Sequence, residues 1–403
     1  MKESSLHSLI LIPQLCLSND PFVFAESSSE DCSFLTEDEL TDCVCVSEYD
    51  SDSEVFKKIK VQDVEHEAVY DPSDEDNLNI EDLKIKEIIG VGSYGKVYRA
   101  VKGKKEYALK IINKDKLGAN TSLARHNTLE IQVNQQIQGK FFAKFYGAVE
   151  KHNHQIMIQE LVPGGELYYH IQKLRYRITE SDARFYAAEI VVMLEDLCKA
   201  NVLYRDLKPE NLMLDAKGHL KLIDFGLSTF IDHSRELFAR TYCGTAEYLA
   251  PEVLQGMFYG KAVDIWGLGC VIYEILTGYP PFYSTNQPLM LSRIVSEPLK
   301  TPKSFSSQLS SLLNRLLAKD WRMRPSLEAI KAHPWFYGIN WTKVRNQELA
   351  PPIIPQGDET LKQASLPEVV NVHHSFLNFG KFKENRDDND DSCSGSCSSL
   401  YTE

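Results

Sequence analysis

The residues with the clearest chemical potential lie in one short stretch, residues 204–211, and at Asp224, thirteen positions after Asn211. Asp206 offers a carboxylate that could accept a hydroxyl proton, and Lys208 offers an ammonium for a transferring phosphate. Asn211 and Asp224 offer the oxygen ligands that magnesium prefers. This order predicts a phosphoryl-transfer site. The alternative is a polar loop between a helix and a strand, which the order of the four groups disfavours.

A glycine-rich segment lies upstream, where residues 90–95 have the pattern G-x-G-x-x-G. Glycines let a turn approach phosphates closely, but the same pattern opens dinucleotide-binding units when a helix follows. Strand-type sequence follows here, which favours a hairpin that covers a nucleotide over a dinucleotide-binding unit. Taken alone, the pattern also fits an ordinary glycine-rich turn. The predicted nucleotide contacts in this segment are Ile89, Gly90, Val91, Gly92, Ser93, Tyr94, Gly95, Lys96 and Val97.

Lys110 lies in the next strand-type run and is the candidate cation for the phosphates of a nucleotide. A lone lysine on a strand more often faces solvent, so the prediction depends on a partner. Glu130 is the only acidic residue between Lys116 and Glu150, and it falls in a helix-compatible stretch. Glu130 is therefore the candidate partner of Lys110.

The elements that must position these groups change character along the chain. Apolar residues alternate with lysines from Leu83, and β-prone but not strictly alternating runs follow up to Ile112; together they predict a hairpin that turns near Gly103. Helical patterning then dominates from Thr179, a candidate N-cap with Asp182 three residues on. The sequence therefore predicts an α+β chain with a strand-rich first lobe and a helical second lobe.

The net charge of −13 is concentrated at the N-terminus, because residues 1–56 hold thirteen Asp and Glu against Lys2 alone. Residues 1–82 are accordingly predicted to be an acidic, mostly disordered extension. Residues 57–403 together carry a net charge of about −1 and have no basic face, so nucleic-acid binding is not expected. The nine cysteines lack metal-ligand spacing and are expected to be reduced thiols. We expect a cytoplasmic protein and leave the nucleus open as a second compartment.

The longest internal apolar run, residues 262–279, contains Asp264 and Glu274. Charged groups are costly in lipid, so this run is predicted to be a buried helix rather than a membrane span. The short apolar run at residues 9–12 is interrupted by Pro13, and a signal peptide there is the less favoured alternative. No stable membrane anchor is expected.

Residues 83–336 resemble a eukaryotic protein kinase domain, because Ala-Pro-Glu ending at Glu252, Asp-Ile-Trp-Gly starting at Asp264 and Arg-Pro at Arg324 follow the motifs above in that family's order. The resemblance implies a two-lobed kinase fold, with an N-lobe at 83–161 and a C-lobe at 162–336, and the use of ATP and magnesium (Mg2+). It also implies that Glu252 pairs with Arg324 and that Asp264 hydrogen-bonds the catalytic-loop backbone.

The same resemblance assigns the hinge that holds adenine to Glu160 and Val162, and it assigns the gatekeeper position to Gln159. A polar gatekeeper implies a narrow rear pocket with an extra hydrogen-bonding group. Lys208 and the Gly-Thr-Ala-Glu-Tyr run that contains Thr245 resemble serine/threonine kinases rather than tyrosine kinases.

Tyr204 in place of histidine, and the run 241–245, resemble the AGC group, which includes Akt, S6 kinase, protein kinase C and cyclic-nucleotide-dependent kinase. The group resemblance implies activation by an upstream kinase that phosphorylates Thr241, with Arg205 pairing the phosphate. It also implies that residues 337–403 form an AGC-like tail with a disordered last part. Phe376 and Phe379 resemble the hydrophobic motif of such tails, although a glycine stands where many members have a phosphorylatable residue.

Three acids match positions with which basophilic AGC kinases hold arginines N-terminal to the phosphoacceptor: Glu166, Glu210 and Glu274. Protein substrates with basic residues before a Ser or Thr are therefore expected, with Thr245 beside the acceptor. A pseudokinase or scaffold that keeps the fold for binding is the alternative, and the presence of Lys110, Asp206 and Asp224 disfavours it. A small-molecule phosphotransferase is disfavoured by the long segment between residues 224 and 252.

Overall fold

The computed structural model describes the backbone of residues 69–70, 78, 80–91, 95–114, 121–151, 153–174, 178–231, 239, 241 and 243–364, and the side chains of all of these except 69–70 and 121–126. The predicted α+β, two-lobed architecture is confirmed in this part of the chain. A six-stranded sheet forms the first lobe, and helices dominate the second.

The strands of the first lobe are β1 (Val69–Tyr70), β2 (Lys84–Val91), β3 (Gly95–Lys102), β4 (Lys105–Asn113), β5 (Phe145–Lys151) and β6 (His154–Glu160). They pair antiparallel in the order β1-β5-β6-β4-β3-β2. The hairpin predicted near Gly103 is confirmed, because Lys102 pairs with Lys105 across it. The sheet packs one face on its own apolar core, which includes Tyr107 and Leu109.

Strand β1 lies inside the segment 1–82, whose composition predicts mostly disorder. Val69 pairs with Ala148 and Tyr70 with Gly147, which satisfies the backbone groups at the outer edge of β5. An exposed strand edge carries unpaired backbone groups, and β1 pairs with those of Gly147 and Ala148. Such a short strand has no periodicity that a sequence pattern could detect.

The second lobe is built on two long helices that pack against each other, α3 (Glu180–Lys199) and α5 (Ala262–Thr277). They follow α1 (Thr121–Gln136) and α2 (Leu167–Leu174), and the short α4 (Pro251–Leu254) lies between them. The predicted N-cap of α3 is confirmed: Thr179 Oγ1 accepts from the Asp182 N–H, and Asp182 accepts from the Thr179 N–H at 2.8 Å. Four short strands accompany these helices, β7 (Val202–Leu203), β8 (Leu212–Leu214), β9 (Leu220–Leu222) and β10 (Thr229–Phe230).

Helix α5 is buried almost all round, as its apolar composition predicts. Among the helices that the structure describes, none combines the length and the apolar character needed to span a bilayer. The predicted Glu252–Arg324 pair is confirmed beside α5. Arg324 Nη1 donates to Glu252 Oε1 at 2.6 Å and Nη2 donates to Oε2 at 2.7 Å, and both side chains are buried. Helix α5 is followed by α6 (Gln287–Ser296), α7 (Ser307–Leu316) and α8 (Leu327–Lys331). The Glu252–Arg324 pair joins α4 to the loop before α8.

The tail returns along the second lobe to the hinge. It begins with α9 (Trp341–Arg345), whose Arg345 contacts Asp196 at 2.7 Å near the end of α3. The chain then crosses Gly218, where an added Cβ would lie 2.0 Å from the Ile353 carbonyl oxygen, so a glycine is needed for this close approach. The last element of the described residues is α10 (Glu359–Ala364), which packs near β2.

Candidate active site

The loop after β7 brings together three of the four polar groups that the sequence singled out, Asp206, Lys208 and Asn211, and Thr245 joins them. Asp206 Oδ2 contacts Lys208 Nζ at 2.7 Å and accepts a hydrogen bond from Asn211 Nδ2 at 2.8 Å. Asp206 Oδ1 accepts from the Thr245 hydroxyl at 3.0 Å, and that hydroxyl accepts from Lys208 Nζ at 2.6 Å. Both carboxylate oxygens of Asp206 are therefore oriented by neighbours, which preorganises the group.

Asp264 on α5 holds this loop in place, as the sequence resemblance implied. Its carboxylate accepts the N–H of Tyr204 at 2.9 Å and the N–H of Arg205 at 2.8 Å. Arg205 has a φ of 73°, a left-handed conformation that is costly for a residue with a side chain. The Asp264 carboxylate offsets this cost, so the strained residue directly before Asp206 is fixed by a buried helix.

The charge state of Lys208 follows from its surroundings. Burial alone would lower the pKa of Lys208, but the Asp206 and Glu210 carboxylates outweigh it and raise that pKa above its ordinary value. Lys208 thus stays protonated at neutral pH. It lies between Asp206 and Thr245 as a fixed positive charge.

Lys110, Glu130 and Asp224 meet in a second cluster. Lys110 Nζ on β4 donates to Glu130 Oε1 on α1 at 2.6 Å and to Asp224 Oδ1 at 2.9 Å. The Gly226 N–H donates to the same Asp224 oxygen at 2.9 Å. The scarcity of acids in the sequence was the signal for Glu130, and the structure brings it to Lys110.

Burial and charge oppose each other in this cluster. Burial would lower the pKa of Lys110, but Asp224 and Glu130 raise it above the ordinary value. Burial raises the pKa of Glu130 to about 7 against the effect of Lys110. Desolvation would raise the pKa of Asp224, but Lys110 and the Gly226 N–H keep it below the ordinary value. The cluster therefore keeps a lysine cation beside an ionised aspartate.

The glycine-rich segment joins β2 to β3, and Gly90 pairs with Val97 and Val91 with Lys96. A Cβ on Gly95 would lie 2.3 Å from the Ile111 carbonyl oxygen, so only glycine fits where β3 begins beside β4. Ile89 and the four paired residues lie on strands that lead into and out of the turn. Gly92, Ser93 and Tyr94 lie outside the described residues.

The predicted hinge begins at Glu160, the last residue of β6. Glu160 is held by Lys221 Nζ at 2.8 Å and by the Lys144 N–H at 3.0 Å, and the next-but-one residue Val162 is buried. Val162 forms an apolar cluster with Ala143 and Met213. The sequence interpretation did not include Ala143 or Met213, because a buried apolar residue carries no distinctive signal in the sequence.

The donor set at Asn211 and Asp224 fits a magnesium ion. Asn211 uses Nδ2 for Asp206, so its carbonyl oxygen is the atom left for a cation. The Asp224 side chain remains 45% exposed despite its contact with Lys110, so it is open to a ligand. The described residues contain no group of three His, Cys, Asp or Glu that could hold a metal alone. Magnesium in nucleotide sites is bound by one or two protein oxygens together with phosphates, so two donors suffice.

Of the three acids expected to bind a basic substrate, Glu210 is affected by the charges of the other two. Burial raises the pKa of Glu210 well above its ordinary value, Lys208 opposes this, and the charges of Glu274 and Glu166 raise it further. Burial also raises the pKa of Glu166 to about 7 and that of Glu274 to about 8. Glu274 is fully buried and contacts the Tyr248 hydroxyl, whereas Glu166 and Glu210 are partly exposed. Neighbouring acids that resist ionisation favour a cation.

Thr241 and Arg205 meet at a third residue that the sequence did not indicate. The Tyr259 hydroxyl donates to the Thr241 carbonyl oxygen at 2.6 Å, and Arg205 Nη1 donates to the same hydroxyl at 3.4 Å. Arg205 Nε also donates to the Leu227 carbonyl oxygen at 2.5 Å. The guanidinium group thus links the catalytic loop to the segment that carries Thr241.

The tail helix α10 contacts the hinge, which sequence reasoning did not foresee. The Thr360 hydroxyl donates to the Val162 carbonyl oxygen at 2.7 Å and accepts from the Gly165 N–H at 3.1 Å. Gln363 Oε1 accepts from the Glu166 N–H at 3.2 Å. The candidate motif at Phe376 and Phe379 lies outside the described residues.

Comparison with known proteins agrees with this geometry. The protein kinase domain family matches residues 83–336. A probable serine/threonine-protein kinase of Dictyostelium discoideum is 39% identical over 308 residues, which are 75% of this chain and 65% of the relative. The RAC-beta serine/threonine-protein kinase of Homo sapiens is 40% identical over 286 residues, 69% of this chain and 59% of the relative. The serine/threonine-protein kinase YPK1 of Saccharomyces cerevisiae is 37% identical over 304 residues, 74% of this chain and 44% of the relative.

The chain belongs to the protein kinase family. Its resemblance to the RAC-beta and YPK1 serine/threonine-protein kinases supports placing this kinase domain in the AGC group of that family. The chain spans less than two thirds of the length of each of these relatives.

Proposed function

We propose that the protein transfers the γ-phosphoryl group of ATP to Ser or Thr hydroxyls of protein substrates that carry arginine N-terminal to the acceptor. The observation that supports this most strongly is the network in which Asp206, Lys208, Asn211 and Thr245 orient one another through contacts of 2.6–3.0 Å. A protein that used the fold for binding alone would not need these four groups in contact.

Asp206 acts as the base that orients the substrate hydroxyl and accepts its proton as the oxygen attacks phosphorus. Asn211 and Thr245 hold the two carboxylate oxygens at 2.8 and 3.0 Å, so the base does not have to reorient. Lys208 neutralises charge on the transferring group from its fixed place beside Asp206. The Thr245 hydroxyl, held between Lys208 and Asp206, bounds the acceptor side of the site.

Lys110 binds the α- and β-phosphates, and Glu130 holds the Lys110 ammonium in position. The strands around Gly90 and Gly95 cover the phosphates, and the hinge at Glu160 and Val162 takes the adenine ring. Asn211 and Asp224 would hold magnesium, which supplies positive charge to the phosphate oxygens when bound.

Arginine selectivity is proposed from the acidic cluster of Glu166, Glu210 and Glu274. An arginine binds carboxylates through two parallel hydrogen bonds, which gives specificity as well as energy. Burial is the main cause of the raised pKa of Glu210, and the charge of an arginine would relieve the further repulsion from Glu274 and Glu166. The test is a peptide pair that differs only by Gln in place of each arginine before the acceptor Ser, with a Tyr acceptor as a third peptide.

We expect the arginine peptide to be phosphorylated with a kcat/KM at least about tenfold above the Gln peptide, since one lost charged hydrogen bond is worth that factor. The Tyr peptide should be inactive. Equal rates on the arginine and Gln peptides would reject the substrate proposal while leaving the kinase assignment intact. Nucleotide binding without transfer to any peptide would favour the scaffold alternative.

Activation is proposed to occur when an upstream kinase phosphorylates Thr241. A phosphate adds about −1.5 to −2 charges, and Arg205, which already contacts Tyr259 beside Thr241, is the nearest candidate cation on the catalytic loop. Such a pair would order the segment and align Asp206.

Phosphatase treatment should lower kcat of the wild type by about tenfold to hundredfold, the value of one or two charge-assisted hydrogen bonds. Thr241→Ala should start at that low rate and not respond to phosphatase, whereas Thr241→Ser should behave as the wild type. A phosphatase-treated wild type that keeps its full rate would show that the site is active without phosphate.

We propose a cytoplasmic location, with the nucleus as the alternative. The nine cysteines lack metal-ligand spacing, which fits reduced thiols in a reducing compartment. Imaging of a fluorescently tagged chain distinguishes the two compartments, and secretion of the tagged protein would reject both.

A further inference from the structure

A buried polar pair joins the sheet to helix α1 behind Lys110, and the mechanism above does not use it. Gln159 Nε2, on β6, donates to Asn134 Oδ1, on α1, at 3.0 Å. Asn134 Nδ2 in turn donates to the main-chain carbonyl oxygen of Glu130 at 2.8 Å. Gln159 is 8% exposed and Asn134 is 1% exposed. The amide of the predicted gatekeeper is therefore engaged within the protein.

The pair lies one step away from the Lys110–Glu130 ion pair on both elements. Glu130 and Asn134 are four residues apart, so they share a helix face and are separated by one turn, about 5.4 Å. On the sheet, Lys110 pairs with Met157, and Gln159 follows Met157 by two residues on the same face. The ion pair and the amide pair are thus two adjacent links between the same helix and the same sheet face.

A hydrogen-bonded amide pair fixes the position of a helix more narrowly than an apolar contact does. Apolar contacts are non-directional and tolerate a helix that slides or rotates by a fraction of a turn. A hydrogen bond between two buried amides is directional, and moving the helix would leave both groups unpaired at a high desolvation cost. Only one position of α1 therefore satisfies Gln159 and Asn134 together.

We propose that the Gln159–Asn134 pair sets the position of α1 and thereby holds Glu130 against Lys110. Gln159 and Asn134 are positioning residues, since they act through Glu130 rather than on the nucleotide. The proposal rests on the role assigned to Glu130 in the proposed function. In this chain, two buried amides behind the nucleotide site therefore fix the position of α1 on the sheet.

The test compares single and double substitutions at the pair. Asn134→Leu and Gln159→Leu each leave one buried polar group without its partner, so both should lower Tm by about 3 °C and kcat by about tenfold. The double Asn134→Leu/Gln159→Leu variant leaves no orphan, so its Tm should return to within about 1 °C of the wild type. Its kcat should stay about tenfold low, because an apolar contact does not fix the helix.

A swapped pair supplies the rescue. Asn134→Gln/Gln159→Asn keeps the combined side-chain length and both amides, so it should recover kcat to within about threefold of the wild type. Ile330→Val, in the core of the second lobe, is the matched control and should lower Tm without lowering kcat.

Two results would overturn the inference: a double leucine variant with the kcat of the wild type, or a swapped variant no more active than the single ones. Glu130→Gln separates this failure from that of the proposed function. If Glu130→Gln loses activity while the double leucine variant does not, only the positioning role is wrong. If Glu130→Gln keeps the kcat of the wild type, the assignment of Glu130 is wrong and the inference falls with it.

Discussion

Replacing Thr245 by alanine tests the polar network at the reacting centre. The hydroxyl of Thr245 accepts from Lys208 Nζ at 2.6 Å and donates to Asp206 Oδ1 at 3.0 Å. Each hydrogen bond to a charged group contributes about 1.5–3 kcal/mol. Lys208 and Asp206 still contact each other at 2.7 Å without the hydroxyl, so we count one net bond. A loss of about 2 kcal/mol corresponds to a fall of about thirtyfold in kcat/KM.

The assay is steady-state phosphorylation of a Ser peptide with ATP varied and the peptide saturating, and then the reverse. Thr245→Ser is the matched control, because it keeps the hydroxyl and should stay within about threefold of the wild type. The KM for ATP should change little in both variants, since Thr245 does not contact the nucleotide groups named above. A Thr245→Ala variant with the kcat/KM of the wild type would refute the argument that this hydroxyl orients Asp206 and Lys208.

Two further predictions concern buried charge. Glu252→Gln should lower the free energy of unfolding in urea by about 3 kcal/mol, because it leaves the buried guanidinium of Arg324 without its counter-charge; a loss below about 1 kcal/mol would contradict this. The KM for an arginine peptide should fall about tenfold as the pH rises from 6 to 8.5, because burial raises the pKa of Glu166 to about 7 and that of Glu274 to about 8, and only the ionised forms attract arginine. The Gln-substituted peptide is the control, and an equal pH dependence for both peptides would contradict the assignment.

Much of the fold and of the reacting groups could be predicted from the sequence, because they depend on local pattern or on a fixed order of motifs. The turn near Gly103 and the N-cap at Thr179 are local signals, and both are present. The Lys110–Glu130 contact spans only 20 residues and had one acidic candidate.

The contacts that could not be predicted join residues whose proximity depends on packing. The sequence marks Gln159 only as the gatekeeper and gives Asn134 no signal at all, and only the packing of α1 on the sheet makes them partners. Thr360 reaches Val162 across 198 residues because the tail follows the second lobe back to the hinge. No periodicity or composition in the tail encodes that path.

The most direct test of the central claim is single-turnover phosphoryl transfer by Asp206→Asn. The substitution keeps the shape of the side chain and removes the base, which is worth about 10²–10⁴ in rate. We predict that the transfer rate falls at least about hundredfold while the dissociation constant for ATP, measured separately, changes less than about threefold. A transfer rate equal to that of the wild type would contradict the assignment of Asp206 as the base and the mechanism built on it.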